Sequence, residues 1–411
     1  MNKGKFIFFI FATFISQTVF ASYTIQYPNP TLLKDQLVVV ANTKDFLSKK
    51  IANLYIKKHD ISADNLIYVS FNPRKTELSI KDFERILKRV RRESPENTKA
   101  YLLTWAQPYR VGCMSITSAF AFGYNKAFCS ARTCAHTRKN PYYGAQSSRF
   151  WNDDHFRPTM MLAAKTIADA KALIDRGVLS IDTWPKGKAY LVKTQDKARN
   201  VRYHLFAQVK TVLGGLIPIE TLNTNGIANK KDIMFYFTGT AYVPYLNSLR
   251  FKPGAIADHL TSFGGQLTNS SQTSAMQWLQ AGASGSYGTV VEPCNLLGKF
   301  PDPRAVMYFY LRGNPLIEAY WKSVLMPGEG VFIGDPLARP FGGYKVKEEK
   351  NDLLLKSYEI IPGMYQIQTA PSTRGPFSNQ KEKLIVHNLQ FEFRLPKYKN
   401  KIIRLKPLEK L

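Results

Sequence analysis

Acid is scarce in this chain. Thirty Asp and Glu face 57 Lys and Arg across 411 residues, a formal net charge of +27. Such a balance often marks a nucleic-acid binder. Here the basic residues are spread along the chain, with local clusters only at LKRVRRE (Leu87–Glu93) and in the tail from Phe393. The expectation is solvated faces with affinity for anionic envelope or membrane surfaces, and no nucleic-acid partner. Long apolar runs are missing beyond the start, so no transmembrane segment is expected there. The start itself has Lys3 and Lys5, an apolar stretch from Phe6 to Ile15, and Val19-Phe20-Ala21. These are the three parts of a secretory signal peptide cut after Ala21, which implies export to the periplasm or the exterior. No phosphate loop or dinucleotide fingerprint occurs, so no cofactor is expected. His136, His155 and His204 have no metal-ligand spacing, so neither is a metal.

Cysteine is limited to Cys113, Cys129, Cys134 and Cys294. An even number in an exported chain allows two disulfides in any of three connectivities. Cys129 and Cys134, close in sequence, are the expected pair; Cys113 and Cys294 then pair with each other or stay free. The run CSARTCAH adds His136 to two thiols, but no second C-x-x-C completes a zinc set.

What is present alternates. QLVVVA (Gln36–Ala41) reads as a strand buried on both faces. Leu47, Ile51, Leu54 and Tyr55 follow at helical spacing. NLIYVS (Asn65–Ser70) is a second strand, and Ser79 with Asp82 resembles a capping box for a helix through Phe83, Leu87 and Val90. AYLLT (Ala100–Thr104) is a third strand. Residues 106–158 lack periodicity and read as a disulfide-stapled insertion. A helix from Met160 to Arg176 is expected to close on Gly177. Further strands are expected at Ala189–Lys193, Lys231–Phe237, Ala255–Leu260, Tyr287–Val291 and Gly330–Ile333, with Asn314 and Pro315 as N-cap and N1 of a helix. From Tyr344 short alternating strands separated by Pro, Gly and Asn predict a small antiparallel β appendage. The expected fold is α/β: a mostly parallel sheet flanked by helices over residues 22–343, with an appendage over 344–411.

Chemistry-bearing residues gather at strand ends, where sites form in open α/β sheets. His259 and Cys294 end successive apolar runs, and a thiol beside an imidazole is the pair a cysteine hydrolase needs. Asp258 and Glu292 would orient such a base. Glycines 264, 265, 285 and 288 would offer N–H donors to an oxyanion, Gly288 and its neighbours first among them. Thr261, Ser262, Gly264 and Gly265 form a second candidate, a strand-end turn that either admits a ligand or is demanded by packing. SFGG is not the G-x-S-x-G elbow, which argues against a serine nucleophile here. Asp335, in Gly334-Asp335-Pro336, reads as a turn cap or a site carboxylate. Asp196, Arg199 and Arg202 read as an ion-pair cluster.

The segments RFKPGAIADHLTSFGG, AGASGSYGTVVEPCN, GNPLIEAYWKSV and VFIGDPLARPF resemble an uncharacterised exported family of bacteria that carry exosortase, a membrane enzyme of protein sorting. The resemblance extends upstream to VVVANTKDFLSKKIANLYIKKHDISADN, RPTMMLA and AYLVKTQDKARNVR. It implies an envelope setting and a link to surface-protein sorting, with a protein or surface polymer as partner, and supplies no reaction. More distantly the layout is similar to gingipain- and caspase-like cysteine peptidases, in which a His follows one strand and a Cys the next. His259 and Cys294 can be laid on that dyad, although the usual His-Gly is His259-Leu260 here. A second alignment sets Thr261-Ser262-Phe263 at the nucleophile position and Thr238-Gly239 at the histidine position. On it the chain is a non-catalytic relative, the reading favoured here; the alternative is a peptidase-like hydrolase.

Overall fold

The computed structural model describes residues 23–28, 31–130, 134–145 and 156–409. The expected signal peptide and His155 lie outside the described residues. The frame is one sheet of ten strands: β1 (Leu37–Asn42), β2 (Leu66–Val69), β3 (Ala100–Leu103), β4 (Thr159–Met161), β5 (Lys188–Lys193), β6 (Ile219–Asn223), β7 (Ile233–Gly239), β8 (Phe251–Leu260), β9 (Gly285–Thr289) and β10 (Gly330–Gly334). Across the sheet the order is β6-β5-β7-β8-β9-β10-β4-β3-β1-β2. Every neighbouring pair is parallel except β9 and β10, where Tyr287 faces Phe332 in antiparallel register. Two parallel blocks therefore meet head to tail, and the carboxyl ends of their strands lie on opposite edges of the sheet. This is the α/β architecture the alternation predicts.

Eight helices are described: α1 (Phe46–His59), α2 (Ile80–Glu93), α3 (Ile116–Phe122), α4 (Ile167–Ser180), α5 (Phe206–Leu213), α6 (Ala275–Ala281), α7 (Pro303–Leu311) and α8 (Leu316–Trp321). α2 shows why such segments fold. The Asp82 N–H donates to Ser79 Oγ at 3.1 Å, and that hydroxyl donates to Asp82 Oδ2 at 2.7 Å, closing the N-terminus. Phe83, Ile86, Leu87 and Val90 are buried on one face, each contributing about 2 kcal/mol by leaving water. β1 is buried along its whole length, as its VVV run requires.

The structure departs from expectation in four places. Thr159–Met161 is strand, so α4 begins only at Ile167, capped by Thr166. Gly177 lies inside that helix rather than ending it; a Cβ there would sit 1.8 Å from Asp335 Oδ2. The N-cap of α8 is Pro315, not Asn314, whose side chain accepts from Lys322 Nζ at 2.6 Å instead. Finally, Cys129 is bonded to Cys113 and Cys134 to Cys294, which overturns the Cys129–Cys134 pairing. Pairing follows folded-state separation, and these partners have Cα atoms 5.6 and 5.5 Å apart.

The appendage comprises β11 (Lys345–Glu348), β12 (Asp352–Lys356), β13 (Gly363–Ala370), β14 (Ser378–Val386), β15 (Glu392–Pro396) and β16 (Ile402–Glu409). They form two small sheets with their own apolar core. One sheet is completed from the other end of the chain: Thr24–Gln26 runs parallel to β16 with Thr24 opposite Ile402, and Tyr23 and Ile25 are buried in that core. The appendage is thus built from both ends of the chain, not from its C-terminal part alone. Among the described residues no helix is long and apolar enough to cross a membrane.

Candidate functional site at the strand ends of the second block

Along β8 side chains alternate between the two faces. Asp258 faces Arg202, from the 3₁₀ segment Asn200–Leu205, and His259 faces Trp278 of α6. The Arg202 guanidinium lies 2.6 Å from Asp258 Oδ1 and also donates to the Thr238 carbonyl at 2.8 Å. Both members of the pair are about as buried as side chains become, at 2% and 1% exposure. Burial pushes the Asp258 carboxyl up, with Arg202 pulling the other way. On the opposite face Trp278 Nε1–H donates to His259 Nδ1 at 2.9 Å. The imidazole is therefore neutral with its proton on Nε2. Desolvation, reinforced by Arg202, lowers its pKa to about 3.

Beyond the strands a second layer of contacts joins the carboxyl ends. Thr194 Oγ1, after β5, donates to the Gly239 carbonyl at the end of β7 at 2.5 Å. A Cβ on Gly239 would meet the Arg199 carbonyl at 1.9 Å, so glycine is required there. Arg199 pairs with Asp196 at 3.1 Å and donates to Thr261 Oγ1 at 3.2 Å. Thr261 Oγ1 in turn donates to Gln272 Oε1 at 2.7 Å, which also accepts the Phe263 N–H at 2.9 Å. The expected ion-pair cluster is divided: Asp196 holds Arg199, while Arg202 turns inward to Asp258.

The Gly264-Gly265 turn packs tightly against β9. The Gly265 N–H donates to the Thr289 carbonyl at 2.9 Å, and a Cβ on Gly288 would lie 2.4 Å from both Gly264 C and Gly265 N. Gly264, Gly265 and Gly288 fill the strand end; Gly288 lies within β9, paired with Val331, and is no oxyanion donor. Thr261 is buried and Ser262 half-buried.

The His259–Cys294 dyad is not assembled. The Cys294 sulfur is bonded to Cys134, its backbone is left-handed at φ 55°, and its N–H donates to the exposed Glu292 side chain at 2.8 Å. Glu292 thus shapes a surface turn and does not orient His259. The Cys129, Cys134 and His136 run lacks zinc ligands for the same reason, since both thiols are bonded elsewhere. Asp335 lies apart, fully buried. It accepts from Tyr55 Oη at 2.8 Å and the Leu337 N–H at 3.0 Å, and His59 Nε2 is 2.9 Å away. It ties α1 to the end of β10 and packs against Gly177 of α4.

Two adjoining hollows open beside the 194–205 segment, of about 540 and 510 Å³. They share Lys193 and Tyr203, whose ring lies 4.3 Å beneath the Lys193 ammonium. Lys197, His204 and Asn223 line the first, and Lys210 and Thr221 the second. Sequence reading did not anticipate this region, because its residues come from β5, β6 and a 3₁₀ turn with no shared motif. Nor did it find Gln272 or Trp278; only the alternation of β8, which turns His259 away from Asp258, hinted at separate partners.

No family model matches the chain, and no curated protein matches it. Among solved structures it is similar to the Arg-specific cysteine proteinase gingipain R, at 10% identity and a TM-score of 0.44, covering 93% of this chain and 100% of that one. It is also similar to the complex of Porphyromonas gingivalis RgpB pro- and mature domains, at 10% identity and a TM-score of 0.38, covering 91% and 100%. A likeness of this size concerns the course of the chain and gives no residue a role.

Proposed function

We propose that this chain is a non-catalytic binding or accessory protein of the cell envelope, built on a caspase- or gingipain-like frame and serving surface-protein sorting. One observation carries the reading. β7 and β8 are adjacent and parallel, the arrangement in which a peptidase of this kind would present histidine and cysteine, and here they end in Thr238-Gly239 and Thr261-Ser262. The imidazole at the end of β8, on His259, is buried, neutral and bonded to Trp278, and the Cys294 sulfur is consumed by a disulfide. A nucleophile needs a base within hydrogen-bond reach, and among the described residues no imidazole or carboxylate is hydrogen-bonded to the hydroxyl of Thr261 or Ser262. Two disulfides favour an oxidising compartment outside the cytoplasm.

The test is a peptidase screen of the mature chain against a mixed peptide library, with and without reductant. No cleavage is expected in either condition. Cleavage that disappears in Ser262→Ala, or that appears on reduction and disappears in Cys294→Ser, would overturn the reading.

A further inference from the structure

We infer that β6 is a docking edge for an extended acidic peptide segment of a partner protein, added to the sheet as an eleventh strand. The inference rests on the binding role proposed above and gives it a place and a chemistry. β6 ends the sheet with β5 as its one neighbour among the described residues. The Pro218 carbonyl accepts from the Ala189 N–H and the Thr224 N–H donates to the Lys193 carbonyl, so even-numbered residues bond inward to β5. By strand alternation the N–H and C=O groups of Ile219, Thr221 and Asn223 face outward. Such an open row is what strand addition uses: main-chain bonds give affinity, and side-chain hollows give selectivity.

The hollows are on the same residues. Thr221 and Asn223 are exposed and line them, beneath the overhang of α5 and the 3₁₀ segment. Lys193, Lys197 and Lys210 stand around them with no carboxylate within 4 Å among the described residues. The nearby acids are engaged elsewhere, Asp196 by Arg199 and Glu220 by Lys188 and Lys230. An incoming strand lying beside β6 turns alternate side chains toward this face, and carboxylates at those positions complement three unpaired ammonium groups. A peptide fits better than a polysaccharide because the edge offers donors and acceptors at strand spacing, which only a peptide backbone matches throughout.

The probe is a labelled ten-residue peptide alternating glutamate and threonine, titrated into the full mature chain and followed by fluorescence anisotropy at low and physiological salt. Saturable binding is expected. Thr221→Pro removes an outward N–H while sparing the bonds to β5 and should weaken binding at least about tenfold, the loss of about one hydrogen bond. Lys193→Gln with Lys197→Gln and Lys210→Gln should weaken it similarly and flatten its salt dependence. N-methylation of alternate peptide residues should abolish binding to the unaltered protein, which keeps the test valid if Thr221→Pro fails to fold. No binding, equal binding of the N-methylated peptide, equal binding of polygalacturonate, or a self-association that covers β6 would each overturn the inference. None of those results bears on the peptidase screen, so the two readings fail separately.

Discussion

His259 is a residue whose chemistry is decided by its neighbours. Unfolded, an imidazole takes up a proton near pH 6.5; folded, this one does so only at about pH 3. Between those values the unfolded state binds a proton that the native state refuses. Stability is therefore lost as pH falls from about 6.5 toward 3, by at most about 1.4 kcal/mol per pH unit. Asp258 acts in the opposite sense, because burial raises its pKa and its native form holds a proton longer. A comparison with His259→Gln isolates the histidine, since glutamine keeps an acceptor for Trp278. In urea titrations from pH 7 to 4 the variant should lose stability less steeply than the parent; equal slopes would show that His259 is not held neutral. The sequence located both residues at the end of an apolar run. It did not reveal that Trp278, 19 positions later, covers the ring, because that contact depends on where α6 lands.

At the scale of elements, readability followed burial. β1, β3 and β7 are buried throughout and carry apolar runs that were plain in the sequence. β6, with its half-exposed IETLN, has no such run and was missed. β4 was read as helix because a short apolar stretch fits either period. Glycines mark where elements touch, and Gly288 is the sharpest case. Gly288→Ala should cost about 2–3 kcal/mol by overpacking β9 against the Gly264-Gly265 turn, measured by chemical denaturation. Amide exchange at Gly265 should quicken in parallel, as its bond to the Thr289 carbonyl is displaced. An unchanged Gly265 amide would mean that the turn and β9 yield independently.

For the whole molecule the class of fold was readable and the pairing of distant segments was not. A parallel sheet with crossover helices follows from local alternation, whereas the disulfides depend on which loops meet. The staples differ in reach, 16 residues for Cys113–Cys129 and 160 for Cys134–Cys294. On chain-entropy grounds, replacing Cys134 and Cys294 by serine should cost about 2 kcal/mol more than replacing Cys113 and Cys129. Denaturation of the two double variants checks this, and equal costs would place the effect in local strain or solvation.

The meeting of Thr24 with Ile402 also sets a timetable. A chain emerges from a ribosome or a pore N-terminus first. β1 to β4 lack β10 until residue 334 has appeared, and Tyr23 and Ile25 lack β16, the strand beside them, until residue 402 and beyond are out. Assembly must therefore wait on delivery, and for most of that interval an unfinished sheet and an apolar N-terminal segment are open to chaperones or to misassociation.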